Sequence, residues 1–240
     1  LNHLEEAVDE KTRHIYQKSI DALLTNKPIQ YVLGNVNFYG NRFKVNENVL
    51  IPRFETEELV EHTLHYLDTY FPGAVRVLDL GCGSGVIGIT LKKKRPQLDV
   101  TMLDISPSAL EVAKENAKEL NANVTFMESD MFQKVEGTFD VIISNPPYIK
   151  EEEEIDPLVK DNEPPLALYA GKDGLDCYRK ILKDVKKHLN KRYLLAFEIG
   201  CDQKEAVEEL INQYLDNVSI EIKKDLQGRN RMVFVWNNDV

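Results

Sequence analysis

The chain has 240 residues, 42% of them hydrophobic, and carries 30 basic against 40 acidic side chains for a net charge of −10. That length and composition suffice for a full core in one large domain, or in one domain with a small appendage. The acidic balance counts against a long nucleic-acid duplex as partner, because contact with phosphates wants a basic face.

At the start, Leu1 to Glu6 lack a basic region followed by an apolar stretch, and no later run approaches the roughly 18 apolar residues of a membrane span. The expectation is a cytoplasmic protein with no membrane partner. A chain beginning at Leu1 rather than Met also leads us to expect residues ahead of it. Residues 3–26 place Leu4, Ala7, Val8, Ile15, Ile20, Leu23 and Leu24 among charged positions, the spacing of one or two amphipathic helices ended by Pro28. Residues 29–45 alternate aromatic and β-branched positions around Gly-Asn and read as a hairpin. A linker at 50–56 divides an N-terminal region, 1–54, from a main domain, 55–240.

Within that domain a helix over 55–70 is followed by strictly alternating elements. Strands are expected at 75–80, 99–104, 123–127 and 139–144, with helices at 85–94 and 108–120 between the first three. After an irregular stretch come a helix near 174–189, a strand at 193–199, a helix at 202–214, and strands at 217–224 and 231–236 joined by the turn Gln227-Gly228-Arg229-Asn230. The fold class is therefore α/β: a mostly parallel seven-stranded sheet covered on both faces, with a C-terminal antiparallel hairpin and a small N-terminal helix and hairpin region. Glu151 to Glu154 reads as a solvated loop. Cys82, Cys177 and Cys201 are odd in number and far apart, so they read as reduced thiols and no metal site is expected.

Four strand ends carry candidate chemistry. After the first, Asp79-Leu80-Gly81-Cys82-Gly83-Ser84-Gly85 offers glycines that bring backbone N–H groups close to a ligand at a helix N-terminus, although a tight strand-to-helix turn would use them too. Asp104 ends the second, 19 residues beyond Gly85, where a carboxylate accepts both hydroxyls of a ribose. Past the third, Asp130 is placed to bind an adenine amino group and Met131 to cover the ring. Together these point to a nucleoside cofactor. After the fourth, Ser144-Asn145-Pro146-Pro147-Tyr148-Ile149 is a stiff corner, since Pro147 gives no N–H to a ladder and Pro146 pushes Asn145 out of the helical region. Such a corner presents an amide, two carbonyls and a ring to a flat polar group. An isolated Pro-Pro would be read as a rigid turn.

The D-x-G-x-G-x-G loop with Asn-Pro-Pro-Tyr resembles the class I S-adenosylmethionine-dependent methyltransferases that act on planar nitrogens. Those include DNA and RNA amino-methyltransferases, which would grip a flipped base, and protein glutamine methyltransferases. Segments 28–34, 38–40, 50–57, 145–149, 163–168, 171–175, 198–200 and 225–231 are similar to the HemK/PrmC family of release factor glutamine methyltransferases. The chain departs from that family at Phe54, where a second Pro is usual, and in the shortness of residues 1–27. The resemblance implies S-adenosylmethionine as cofactor, S-adenosylhomocysteine as its product and peptide-chain release factors as partners, with no nucleic-acid partner. It implies cofactor contacts from Gly81, Cys82, Gly83, Ser84, Gly85, Asp104, Asp130, Met131 and Asn145. Asn145, Pro146, Pro147 and Tyr148 would hold the substrate, and Asn145, Pro146 and Tyr148 would serve catalysis on the glutamine of a Gly-Gly-Gln motif. The nucleic-acid enzymes, and a non-catalytic cofactor-binding scaffold, are the alternatives.

Overall fold

In a computed structural model the protein is described over residues 8–237. Its N-terminal part holds helices α1 (Glu10–Leu24) and α2 (Ile29–Leu33) and the hairpin β1 (Asn35–Phe38) and β2 (Asn41–Lys44). The alternating part follows as α3 (Phe54–Tyr70), β3 (Arg76–Leu80), α4 (Val86–Lys94), β4 (Asp99–Asp104), α5 (Pro107–Glu119), β5 (Thr125–Glu128) and β6 (Phe139–Ser144). A short α6 (Pro157–Lys160), then α7 (Asp176–Val185), β7 (Leu189–Glu198), α8 (Lys204–Tyr214), β8 (Val218–Lys224) and β9 (Asn230–Asn237) complete the chain.

The seven strands β3 to β9 form one sheet in the order β5-β4-β3-β6-β7-β9-β8. Strands β3 to β7 are parallel neighbours, and β9 runs antiparallel between β7 and β8. The expected fold class is thus the observed one. The chain steps outward from β3 through β4 to β5, then returns to lay β6 on the other side of β3. This reversal is the switch point at which open α/β sheets bind ligands.

Period-two side-chain alternation divides the core between the two faces of the sheet. Val77, Val141, Ile143, Leu194, Ala196 and Phe234 pack with α3, α4 and α5, whereas Leu78, Leu80, Ile142, Leu195, Phe197 and Val235 pack with α7 and α8. Each such side chain, fully buried, contributes about 1.5–3 kcal/mol.

Several boundaries differ from the sequence reading. Ile29–Leu33 is helix rather than the first arm of a hairpin, because Pro28 starts it and Gly34, at φ 69°, stops it; only 35–38 and 41–44 pair. The helix expected to reach 189 ends at Val185 with a 3-10 turn at Lys186–His188, and β7 begins at Leu189 to pair with Phe139. There the His188 ring stacks on Phe132 at 4.6 Å, an arrangement between distant segments that local periodicity does not record. The amphipathic reading of 3–26 covers α1, which has no buried residue, and residues 3–7, which lie outside the described part. Glu151 to Glu154 are all exposed. Among the described residues, no helix is long and apolar enough to cross a membrane.

The hairpin is joined to the main core. Phe38 and Phe43 meet edge to face at 5.9 Å and lie in the same cluster as Leu59 of α3. Asn116 of α5 makes the second connection: its Oδ1 accepts from Lys44 N at 2.7 Å, and its Nδ2 donates to Lys44 O at 3.0 Å and to Ser84 O at 2.8 Å. One buried amide therefore fixes β2 against the loop after β3. Asn116→Ala would leave three backbone groups without their partner, so we expect it to lower unfolding free energy by about 2–4 kcal/mol. Denaturant unfolding checks this, and a loss below about 1 kcal/mol would contradict it.

Candidate active site

The loop after β3 is shaped by three glycines in left-handed backbone, Gly81 (φ 70°), Gly83 (φ 53°) and Gly85 (φ 86°). A Cβ on Gly81 or Gly83 would meet nothing within 4 Å, but one on Gly85 would stand 2.8 Å from Ile89 Cδ1. The first two thus open onto a cleft, and the third lets α4 seat closely on the sheet. Gly85 brings no capping side chain to the start of α4, and of the first-turn N–H groups that of Gly88 is taken by Asp79.

Two buried carboxylates support this loop. Asp104 Oδ2 accepts from Gly83 N at 2.8 Å and its Oδ1 from Ser106 N at 2.9 Å. Burial nevertheless raises its pKa above the usual carboxylate range, against the lowering effect of those bonds. Asp79, with no exposure, accepts from Gly88 N at 2.9 Å through Oδ2, while its Oδ1 has no partner. Burial pushes Asp79 up to about 7, with the nearby Asp104 charge adding to the effect. Cys82 is buried between them and its thiol is pushed well up, chiefly by burial, so it is held as a neutral thiol rather than a nucleophile.

Beyond β5, Met131 takes a left-handed conformation (φ 46°) that non-glycine residues seldom adopt. Ser129 fixes it, donating from Oγ to Met131 O at 2.9 Å and accepting from Lys134 N at 3.1 Å. Asp130 lies at the same rim, 3.7 Å from Lys180 Nζ.

Past β6 the chain leaves the sheet at Asn145. Ser144 Oγ donates to Leu80 O at 2.7 Å, which ties this corner to the glycine loop. Asn145 Nδ2 donates to Thr56 Oγ1 at 3.1 Å, and Thr56 Oγ1 donates to Glu198 Oε2 at 2.6 Å. Tyr148 OH reaches the other carboxylate oxygen, Glu198 Oε1, at 3.4 Å. Burial pushes Glu198 up to about 7, opposed by the Thr56 bond and the Arg231 charge.

One cleft joins these parts. Gly81, Cys82, Gly83, Ser84, Asp104, Asp130, Met131 and Asn145 line it, as does Pro147. Gly85 faces the helix interior, Pro146 is buried, and Tyr148 stands behind the wall with its ring against the α7 side of the core. The remaining wall comes from distant segments: Val49, Leu50, Pro52 and Thr56 on one side, Pro164, Leu166 and Ala167 on another. Buried Glu163 fastens those two segments together, accepting from Ile51 N at 2.9 Å and from Arg53 at 2.5 Å.

Comparison with known proteins agrees with this arrangement. The family described as Methyltransferase small domain matches residues 56–162. A release factor glutamine methyltransferase from Bacillus cereus is 42% identical over 240 residues, 98% of this chain and 85% of that protein. Another from Streptococcus pneumoniae is 42% identical over 234 residues, 96% of this chain and 82% of that protein. The chain belongs to the release factor glutamine methyltransferase family. A crystal structure titled protein-(glutamine-N5) methyltransferase (release factor-specific), from Alicyclobacillus acidocaldarius, superposes with a TM-score of 0.51 at 27% identity, covering 81% of this chain and 99% of that one. The fold is that of class I S-adenosylmethionine-dependent methyltransferases.

Sequence reasoning did not assign site roles to Thr56, Glu163 or Glu198. Each lies in a segment that carries the resemblance to the glutamine methyltransferase family, 50–57, 163–168 or 198–200, so a signal was present as motif but not as chemistry. Their partners lie far off in sequence: 110 positions separate Arg53 from Glu163, and 142 separate Thr56 from Glu198.

Asp79 generates a pH prediction. Its folded pKa is raised to about 7 from a model-peptide value of about 3.9, so the folded state binds a proton that the unfolded chain has released. Its contribution to stability is therefore full at low pH and is lost as pH rises through about 7. Asp79→Asn removes this titration. The stability of the variant relative to wild type should increase by about 1–3 kcal/mol between pH 5 and pH 8. Urea unfolding at those two pH values measures it, and a difference independent of pH would show that Asp79 is ionised throughout.

Proposed function

We propose that this chain transfers a methyl group from S-adenosylmethionine to the side-chain amide nitrogen of the glutamine in the Gly-Gly-Gln motif of peptide-chain release factors. The observation that carries the reading is the placement of Asn145. It stands at the cleft wall beside the glycine loop, with Nδ2 engaged by Thr56 and with Oδ1 accepting no hydrogen bond among the described residues. The activity for which the relatives are named gives that oxygen a matching substrate, an amide N–H.

The cofactor fits the residues present. Gly81 and Gly83 leave open the space that a Cβ would fill, Asp104 has lone pairs left for two ribose hydroxyls after its two backbone bonds, and Met131 lines the wall past β5. When bound, S-adenosylmethionine supplies an electrophilic methyl on that sulfonium.

The chain's own task is to make a poor nucleophile react. An amide nitrogen lends its lone pair to the carbonyl, so it attacks only if held with that lone pair turned out of conjugation. Asn145 Oδ1 and the Pro146 carbonyl each accept one substrate N–H, which aims the nitrogen at the methyl. As the new N–C bond forms, the methyl–sulfur bond would break with its electron pair going to sulfur, S-adenosylhomocysteine would leave as the neutral thioether, and the proton lost from the nitrogen would pass to water. Preorganised acceptors of this kind contribute several kcal/mol. Tyr148, behind the wall, stiffens the corner through Glu198. Residues 1–54 and the exposed Phe54 and Leu166 beside the cleft form the docking side for the release factor, and 55–240 the catalytic domain. The site of action is the cytoplasm, where release factors work.

Two substitutions separate cofactor from substrate. Asp104→Ala should weaken S-adenosylhomocysteine binding by about 1.5–3 kcal/mol, as hydrogen bonds to a charged group are lost. Calorimetric titration with unchanged affinity would remove Asp104 from the site. Asn145→Ala should leave that affinity nearly intact and lower kcat on a release factor by about 10²–10³, as for loss of one preorganised hydrogen-bonding group. Mass measurement of the Gly-Gly-Gln peptide reports turnover. A wild-type kcat in Asn145→Ala would return the Asn-Pro-Pro-Tyr corner to the role of a rigid turn.

A further inference from the structure

An asparagine amide has two orientations that occupy the same space but present opposite chemistry, an acceptor oxygen or a donor NH₂. A site that grips an N–H needs the oxygen outward. The corner itself, with Asn145 followed by two prolines, does not choose between them. The choice is made by groups behind it.

Those groups form a chain whose sense is fixed when Glu198 is ionised. Glu198 ends β7, and because Ser144 pairs with Phe197, the residues that follow, Asn145 just past β6 and Glu198 at the end of β7, stand side by side. Thr56, in the first turn of α3 and only 2% exposed, stands between them. An ionised carboxylate only accepts, so the Thr56 hydroxyl must spend its single proton on Glu198 Oε2, at 2.6 Å. The hydroxyl then has only lone pairs to offer Asn145, and the group that approaches it, at 3.1 Å, is Nδ2. Oδ1 is left facing away. Tyr148 engages the other oxygen of the Glu198 carboxylate, and the Tyr178 hydroxyl holds the backbone of the same residue by donating to Glu198 O at 2.7 Å.

We infer that Thr56, polarised by Glu198, is a positioning residue that sets the Asn145 amide with its oxygen toward the substrate nitrogen. The consequence for catalysis rests on the amide-gripping reading above, whereas the orientation of Asn145 does not. Thr56 is part of the cleft wall, but its hydroxyl is turned to Glu198 and Asn145. Its hydroxyl acts through Asn145, and its neighbours on α3, Glu55 and Glu57, do not join the chain: Glu55 pairs with Arg229 and Glu57 accepts from Tyr39 N.

The test uses Thr56→Val, which keeps the shape but can neither donate nor accept, and Thr56→Ser, which keeps the hydroxyl. The first readout needs no substrate. In ¹⁵N spectra at pH 8.5, where Glu198 is ionised, the Asn145 side-chain NH₂ is identified by its disappearance in Asn145→Ala. We expect its hydrogen exchange to be at least tenfold faster in Thr56→Val and to return to within about threefold of wild type in Thr56→Ser, since only the latter protects Nδ2. The second readout is turnover: kcat on a release factor should fall about 10- to 100-fold in Thr56→Val, with S-adenosylhomocysteine affinity within about twofold and recovery in Thr56→Ser, as for a mispositioned active-site group. Unchanged exchange in Thr56→Val, an unchanged kcat, or a loss that Thr56→Ser does not recover would overturn the inference. A wild-type protein that methylates no release factor would instead overturn the proposed function, and the exchange measurement would still decide the role of Thr56.

Discussion

The pairing of β3 with β6 is the constraint on which the site depends. Val77 stands level with Val141 and Asp79 with Ile143, so the two strands end together, and Ser144 bonds back to Leu80. A glycine loop and an asparagine 64 positions apart in their anchoring bond thereby become neighbours at one edge of the sheet. Both strands are buried on both faces, which fixes their register strongly, because a slip of one residue would exchange the two halves of the core. The reach between the glycine loop and the Asn-Pro-Pro-Tyr corner, proposed here to hold cofactor and substrate, is thus set by backbone ladders rather than by flexible side chains. This suits a reaction whose difficulty is orientation.

Around that fixed edge the protein concentrates buried acids. Asp79, Asp104 and Glu198 all lie at or near strand ends, and burial raises all three. Each is engaged where its geometry matters: Asp79 on Gly88, Asp104 on Gly83, Glu198 on Thr56. Fully apolar replacements would be easier to bury. The carboxylates instead provide strong acceptors that hold backbone and hydroxyl groups in one sense, as a buried polar network does when its members are satisfied. The orphaned Oδ1 of Asp79, in the strand that leads into the glycine loop, is the exception.

The N-terminal region does more than precede the sheet. Its hairpin enters the main core through Phe38 and Phe43, Asn116 ties it to the glycine loop, and Glu163 draws the 51–53 segment over the cleft. The C-terminal hairpin acts from the opposite side. Asp225 holds its turn by accepting from Gln227 N and Arg229 N, and Arg229 reaches Glu55, one residue before Thr56. The first turn of α3 is therefore braced from both ends of the chain, which is what a residue that positions another requires.

The sequence by itself determined the alternating order of elements and the seven strands, and it marked four strand ends as candidates for chemistry, because strand and helix periods, glycine loops and proline corners are local properties of the chain. It also carried, in segments 50–57, 163–168 and 198–200, the marks of a known family without showing what they do. Only the tertiary structure decided that β7 starts at Leu189 against Phe139 and that Tyr148 stands behind the cleft wall. Only it brought Thr56 and Glu198 to Asn145. The physical reason is the same in each case: register, burial and hydrogen-bond polarity between residues 50 to 142 positions apart are fixed when the sheet closes its core, and no local pattern encodes them.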